Sequence, residues 1–118
     1  MKLDKIFEDF RGQIYSVNGS PLNFEEVSFL YTEAGRARGA CQHPESIEHI
    51  CVIEGVINYY YGDRHITLKE GDSFTIDKNI PHFFLSLTNS IVIEWGTKVS
   101  EKGIKDTNML KLVKEIND

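Results

Sequence analysis

Four residues able to hold a metal or move a proton fall in a short pattern punctuated by glycines. Cys41, His43 and Glu48 lie between Gly35 and Gly55, and His82 follows Gly71. Two neutral imidazoles and a carboxylate can ligate a divalent metal on one side and leave its other positions open to water or substrate. Strand alternation brings such residues together: His43 shares a face with Cys41, Glu48 reaches the same site from the next strand after a short turn, and His82 arrives from a third. His43, standing ahead of Pro44, reads by itself as a surface histidine, but Glu48 weighs against that. A carboxylate beside the apolar run Ile50, Val52 and Ile53 is costly to desolvate and calls for a metal or a base as partner. His82 lies in Ile80-Pro81-His82-Phe83-Phe84, where apolar neighbours favour the neutral imidazole a ligand must be; a satisfied core histidine is its other reading.

Cys41 has three readings. As a ligand, its thiolate favours zinc or another soft metal. As a nucleophile it needs a lowered pKa, which Arg36, Arg38 or His43 can supply. As a small hydrophobe it is inert core. Cys51, on an apolar strand, reads as core. His49 points away from Glu48, and His65 follows a hairpin turn into solvent, so neither is a first-choice ligand. Tyr59 and Tyr61 alternate on one strand. A phenol facing a cavity can act as an acid or stack on a sugar, and core packing is the other role for at least one of them.

These residues need a β scaffold, and the texture of the chain supplies one. Short β-branched and aromatic runs at 14–17, 27–32, 47–53, 56–61, 65–68, 73–76, 82–87 and 91–95 read as strands, which implies an all-β barrel or sandwich. Gly19-Ser20-Pro21 reads as a turn, Gly62-Asp63 as a two-residue hairpin loop, and Glu70-Gly71-Asp72 as a second hairpin loop. Only the end is helical in pattern: Met109, Leu112, Val113 and Ile116 repeat at helical spacing after a cap at Asp106 or Thr107. That helix is expected to pack on the barrel or on a partner subunit.

A chain of 118 residues suits a single domain over residues 1–118, able to bury its own core. Its net charge of −5, with Lys and Arg scattered, offers no electrostatic footprint for nucleic acid or an anionic membrane. The start, MKLDKIFEDFRG, is acidic where a signal peptide is apolar, and no run approaches the ~20 apolar residues of a membrane helix. A cytoplasmic protein with two reduced thiols is expected.

The run Gly35-x5-Cys41-x-His43-x4-Glu48-x6-Gly55 resembles the first motif of the cupin superfamily. Gly71-x5-Asp77-x-Asn79-x2-His82-x3-Ser86 resembles the second. The family pattern has His at position 41, Pro at 77, Gly at 79 and Asn at 86. Asn at 79 is a mild change, because asparagine tolerates the left-handed backbone. The resemblance implies a double-stranded β-helix, the cupin jelly-roll barrel, here with a short C-terminal helix. It also implies a divalent metal such as zinc, iron, nickel or manganese on His43, Glu48, His82 and Cys41, and a homodimer paired through its outer sheets.

Asp9-Phe10-Arg11-Gly12-Gln13-Ile14-Tyr15, Glu26 to Tyr31 and Arg38-Gly39-Ala40-Cys41-Gln42-His43 resemble, more loosely, small sugar-nucleotide cupins of polysaccharide biosynthesis, of 3,5-epimerase-like and ketoisomerase-like type. In those proteins a histidine base stands where this chain has Cys41. The resemblance implies a sugar or sugar-nucleotide ligand, with catalytic candidates His43, Cys41 and Tyr59 and with Arg38 and Tyr61 as substrate contacts. Arg38, and after it Arg11, can hold a phosphate through forked donors, or brace strand ends through an ion pair. A metal-dependent oxygenase and a non-catalytic binding module remain the alternatives.

Overall fold

The computed structural model describes residues 2–18, 25–98, 101 and 103–118. Its strands are β1 (Lys2–Asp9), β2 (Gly12–Asn18), β3 (Glu25–Thr32), β4 (Ala37–Gln42), β5 (Glu48–Glu54), β6 (Val56–Tyr61), β7 (Arg64–Lys69), β8 (Ser73–Ile76), β9 (His82–Ser86), β10 (Ser90–Lys98) and β11 (Ile104–Lys105). One helix, α1 (Thr107–Asn117), ends the chain. The strands form two antiparallel sheets, ordered β1-β2-β3-β10-β5-β8 and β11-β4-β9-β6-β7, which face one another as a jelly roll. The expected turn at Gly19-Ser20-Pro21 lies outside the described residues. Among those described, no helix is long and apolar enough to cross a membrane.

Strict alternation builds the core. On β5, Glu48, Ile50 and Val52 point inward and are buried, while His49, Cys51 and Ile53 face out. Ile50, Val52, Ile57, Tyr59, Phe84 and Val92 fill the space between the sheets with almost no exposed surface. Each such side chain contributes about 1.5–3 kcal/mol from burial.

All eight expected strands are present, and three more accompany them. β1 escapes notice because its apolar residues are interrupted by charge; it is an edge strand that pairs only with β2. β4, with the sequence ARGACQ, has little β propensity and is held by tertiary packing: Ala37 and Ala40 are fully buried against Met109 and Val113 of α1. β11 is only two residues long. Gly62-Asp63 joins β6 to β7 as expected, with Tyr61 opposite Arg64. Glu70-Gly71-Asp72 is not a hairpin loop. β7 and β8 lie in different sheets, so this turn is a corner between them.

The Asp106 side chain accepts a hydrogen bond from the Met109 N–H at 3.0 Å and so caps α1. Leu112, which shares the helical apolar pattern, is 48% exposed; the packed face is Met109 and Val113, with Leu110 and Ile116 beside them. The far end is clamped by Asn117. Its side chain accepts from the Ala37 N–H at 2.8 Å and donates to the Ala37 carbonyl at 2.9 Å, standing in for a strand partner.

Candidate metal centre

The site forms where β4, β5 and β9 meet. β4 and β9 pair with a register shift between Gly39 and Cys41, a bulge in which Gly39 has φ 120° and Ala40 φ 81°. A regular strand would put Arg38 and Cys41, three residues apart, on opposite faces. The extra residue resets the alternation, so both line the interior while Ala37 and Ala40 both face α1. Only glycine fits at 39. A Cβ there would lie 2.8 Å from Phe83 Cα, and its backbone is left-handed.

Cys41 lies opposite His82 in the ladder, and Glu48 opens β5 after a five-residue turn that carries His43. Asn79 has φ 61°, the left-handed conformation expected for it, and its N–H donates to the His43 carbonyl at 2.9 Å. That bond ties the loop before β9 to the loop before β5.

The side chains converge. Glu48, 6% exposed, reaches His43 Nε2 at 3.2 Å through one oxygen and His82 Nε2 at 3.3 Å through the other. The Thr97 hydroxyl donates to Glu48 Oε2 at 2.9 Å. Cys41 Sγ is 3.9 Å from His43 Nε2, and the ligand atoms of Cys41, His43 and His82 all lie within 4.8 Å of one another. His82 Nδ1 donates to the Ile80 carbonyl at 2.9 Å, which fixes the tautomer and turns Nε2 into the site.

Burial pushes the Glu48 carboxyl up, but the two imidazoles outweigh it and hold it down at about 2. The Cys41 and Glu48 contacts raise His43 to about 10 against burial, the Glu48 contact being the shorter. His43 Nδ1 is buried without a hydrogen-bond partner among the described residues.

A cavity of about 300 Å³ opens beside the cluster, and Arg11, Arg38, Tyr59, Glu94 and Lys105 line it with the four convergent residues. Arg38 is buried. Its Nε donates to the Thr32 hydroxyl at 2.8 Å and one terminal nitrogen to the Tyr31 carbonyl at 3.3 Å. Among the described residues no carboxylate lies within ion-pair distance of it, so it is not the bracing ion pair that was one reading of it. Burial and then Arg11 lower it to about 10, against the pull of Asp9 and Glu94, so it stays charged at neutral pH. Arg11 is held by Asp9, 2.7 Å away.

Tyr59 lines the cavity. Tyr61 does not; it packs on Phe74 with ring centroids 4.9 Å apart. His49 faces outward, stacked on Trp95, and His65 is exposed and stacked on Tyr60, so neither joins the cluster. Sequence reasoning missed Glu94, Thr97, Lys105 and Gly103. The first two follow from strand pairing once β10 is placed beside β5. The last two belong to a segment with no pattern of its own: Gly103 packs so closely that a Cβ there would sit 3.2 Å from His43 Cε1 and 3.5 Å from Cys41 Cβ.

The donor set fits a metal ion. Bonds of about 2.0–2.3 Å put neighbouring ligand atoms roughly 3–4 Å apart, and the spacings of Glu48 to each imidazole and of Cys41 to His43 fall in that range. The ligand atoms of Cys41, His43 and His82 form a group able to hold a metal ion, with the His82 imidazole braced from behind, and Glu48 touches both imidazoles at its edge.

The family model for the cupin domain matches residues 28–95, more than half of the chain, and the chain belongs to the cupin family. No curated protein matches the sequence. Among solved structures, the fold is similar to Bacillus subtilis oxalate decarboxylase, with TM-score 0.71 and 14% identity over 84% of this chain and 29% of that one. It is similar to the formate complex of Lactobacillus farciminis oxalate decarboxylase (TM-score 0.73, 16% identity, 93% of this chain and 35% of that one). A third is KdgF from Halomonas sp., with TM-score 0.66 and 17% identity over 92% of this chain and 91% of that one. At these identities the likeness shows the fold. The chain spans about three tenths of the length of the Bacillus subtilis enzyme, for which a further structure is described by its Mn(II) centres.

Proposed function

We propose that this cupin binds a divalent metal through His43, His82, Glu48 and Cys41 and acts on a sugar or sugar nucleotide by isomerase- or epimerase-type chemistry. The observation that carries the metal is the convergence of two imidazoles on Glu48 with the Cys41 thiol beside them. When bound, the metal supplies Lewis-acid polarisation of a substrate carbonyl. The residues of the chain do the rest. Arg38 and Arg11 offer forked donors to an anionic group at one side of the cavity. Glu94, a carboxylate that lines the cavity outside the ligand set, is the base this reading assigns to take a proton beside the carbonyl.

The sugar assignment draws support from the two segments that resemble sugar-nucleotide cupins, since Arg11, Arg38, Cys41 and His43 border one cavity. A volume of about 300 Å³ is at the small end for ligand sites and suits a monosaccharide, with any nucleotide extending outward. Both cysteines are free, so the Cys41 thiol is available as a ligand, and two reduced thiols are in keeping with a cytoplasmic protein. Ile47 and Ile53, exposed beside and along the outer face of β5, support a homodimer through that sheet.

Metal content of untagged protein, measured by mass spectrometry with His43→Ala and His82→Ala beside it, tests the centre. Near-stoichiometric metal that both variants lose is the expected result; none after reconstitution refutes it. Deuterium exchange from solvent into a candidate sugar then separates isomerisation from silent binding. The pair of imidazoles with Glu48 also favours a second reading, a metal-dependent oxygenase, which predicts oxygen consumption instead.

A further inference from the structure

The Tyr59 side chain is completely buried in the middle of β6, its ring parallel to His82 at 6.0 Å and packed on Phe74 at 5.9 Å. It lines the same cavity as Cys41, His43 and Glu48, yet its hydroxyl has no hydrogen-bond partner among the described residues. A buried hydroxyl left unpaired costs about 1–3 kcal/mol, and phenylalanine would fill the same packing without that cost. Tyr59 thus carries a stability cost at a point where the described residues offer its hydroxyl no partner. A phenol donates one hydrogen bond and keeps its proton at neutral pH. Its missing partner is an oxygen acceptor.

We propose that Tyr59 donates a hydrogen bond to a carbonyl or hydroxyl oxygen of the bound ligand and so selects anions that carry such an oxygen over those that lack it. The proposal rests on the reading of the cavity as a ligand site beside a metal. Arg38 and Arg11 take the anionic group, and Tyr59 reads a second oxygen on the same small molecule. Discrimination arises because a ligand without that oxygen leaves the phenol still unpaired.

Pyruvate and propionate, which differ by one carbonyl oxygen, are the probes, titrated into metal-reconstituted protein and followed by NMR. Wild type is expected to bind pyruvate about tenfold more tightly, and Tyr59→Phe to erase that difference. The same substitution should raise the melting temperature of the ligand-free protein by about 5 °C, since it removes an unpaired buried hydroxyl. A lowered melting temperature, a preference that survives Tyr59→Phe, or a wild type that binds neither anion would overturn the proposal. Metal content of each sample separates the two ideas. Discrimination that depends on Tyr59 in protein holding no metal refutes the metal centre alone, whereas metal-loaded protein whose preference ignores Tyr59→Phe refutes the role of Tyr59 alone.

Discussion

Glu48→Gln is the sharpest probe of the cluster, because Glu48 touches both imidazoles and Thr97 while almost wholly buried. Holding a carboxyl at about 2 instead of 4.5 corresponds to about 3 kcal/mol of folding stability at 1.36 kcal/mol per pKa unit. That figure already includes the cost of burying the charge, and it is not added to the rise of His43, which reports the same contact from the other side. The folded pKa lies below the unfolded one, so the contribution is complete above pH 4.5 and disappears as pH falls from 4.5 towards 2. Metal-free Glu48→Gln is therefore expected to be about 3 kcal/mol less stable than wild type at pH 7, roughly 10 °C in melting temperature for a domain of this size. The gap should close near pH 2. Asp9 and Glu101 also have lowered pKa values, so the readout is the difference between the two proteins and not either curve alone. Urea denaturation in chelator at pH 7, 4 and 2.5 measures it. A variant within about 0.5 kcal/mol of wild type at pH 7, or a gap that does not narrow in acid, would refute the ion-paired cluster.

Two further outcomes follow from the same geometry. Cys41→His should retain metal and shift its preference away from soft ions, because it exchanges a thiolate for an imidazole at the same ladder position opposite His82; competition between zinc and manganese, read by mass spectrometry, checks this. Gly103→Ala places a methyl 3.2 Å from His43 Cε1 and should weaken metal affinity about tenfold while changing stability little, since the group displaced is one side chain at the cavity wall; calorimetric titration of the reconstituting metal decides it.

How much of this was legible in the sequence depends on the kind of residue. Glu48 and His82 could be read because each opens a strand, and β5 shows how directly a period of two becomes an inside and an outside; His43, in the turn between β4 and β5, was read from its spacing to Cys41 and Glu48. The joint placement of Arg38 and Cys41 was not legible. It depends on the bulge at Gly39-Ala40, and a bulge is set by what approaches the strand, here Phe83 behind Gly39 and α1 over Ala37 and Ala40. Tyr59 and Tyr61 look equivalent in sequence, and only their depth in the fold tells them apart: Tyr59, opposite Phe84 in the middle of β9, is fully buried and lines the cavity, while Tyr61, at the end of β6, is half-buried and does not. The stretch from Glu101 up to the helix cap at Asp106 was invisible for the opposite reason. It has no periodicity, yet Glu101 accepts from the Glu45 N–H at 2.9 Å and from the Ser46 hydroxyl, Gly103 backs His43, and the Asp106 N–H donates to the Ala40 carbonyl at 2.9 Å. The ligand loop is thereby held from outside the barrel by the stretch that leads into α1, and Asn117 secures that helix to the start of β4. Strand patterning thus selects which residues can face the centre, and the C-terminal segment sets how closely His43 and Cys41 are pressed towards it.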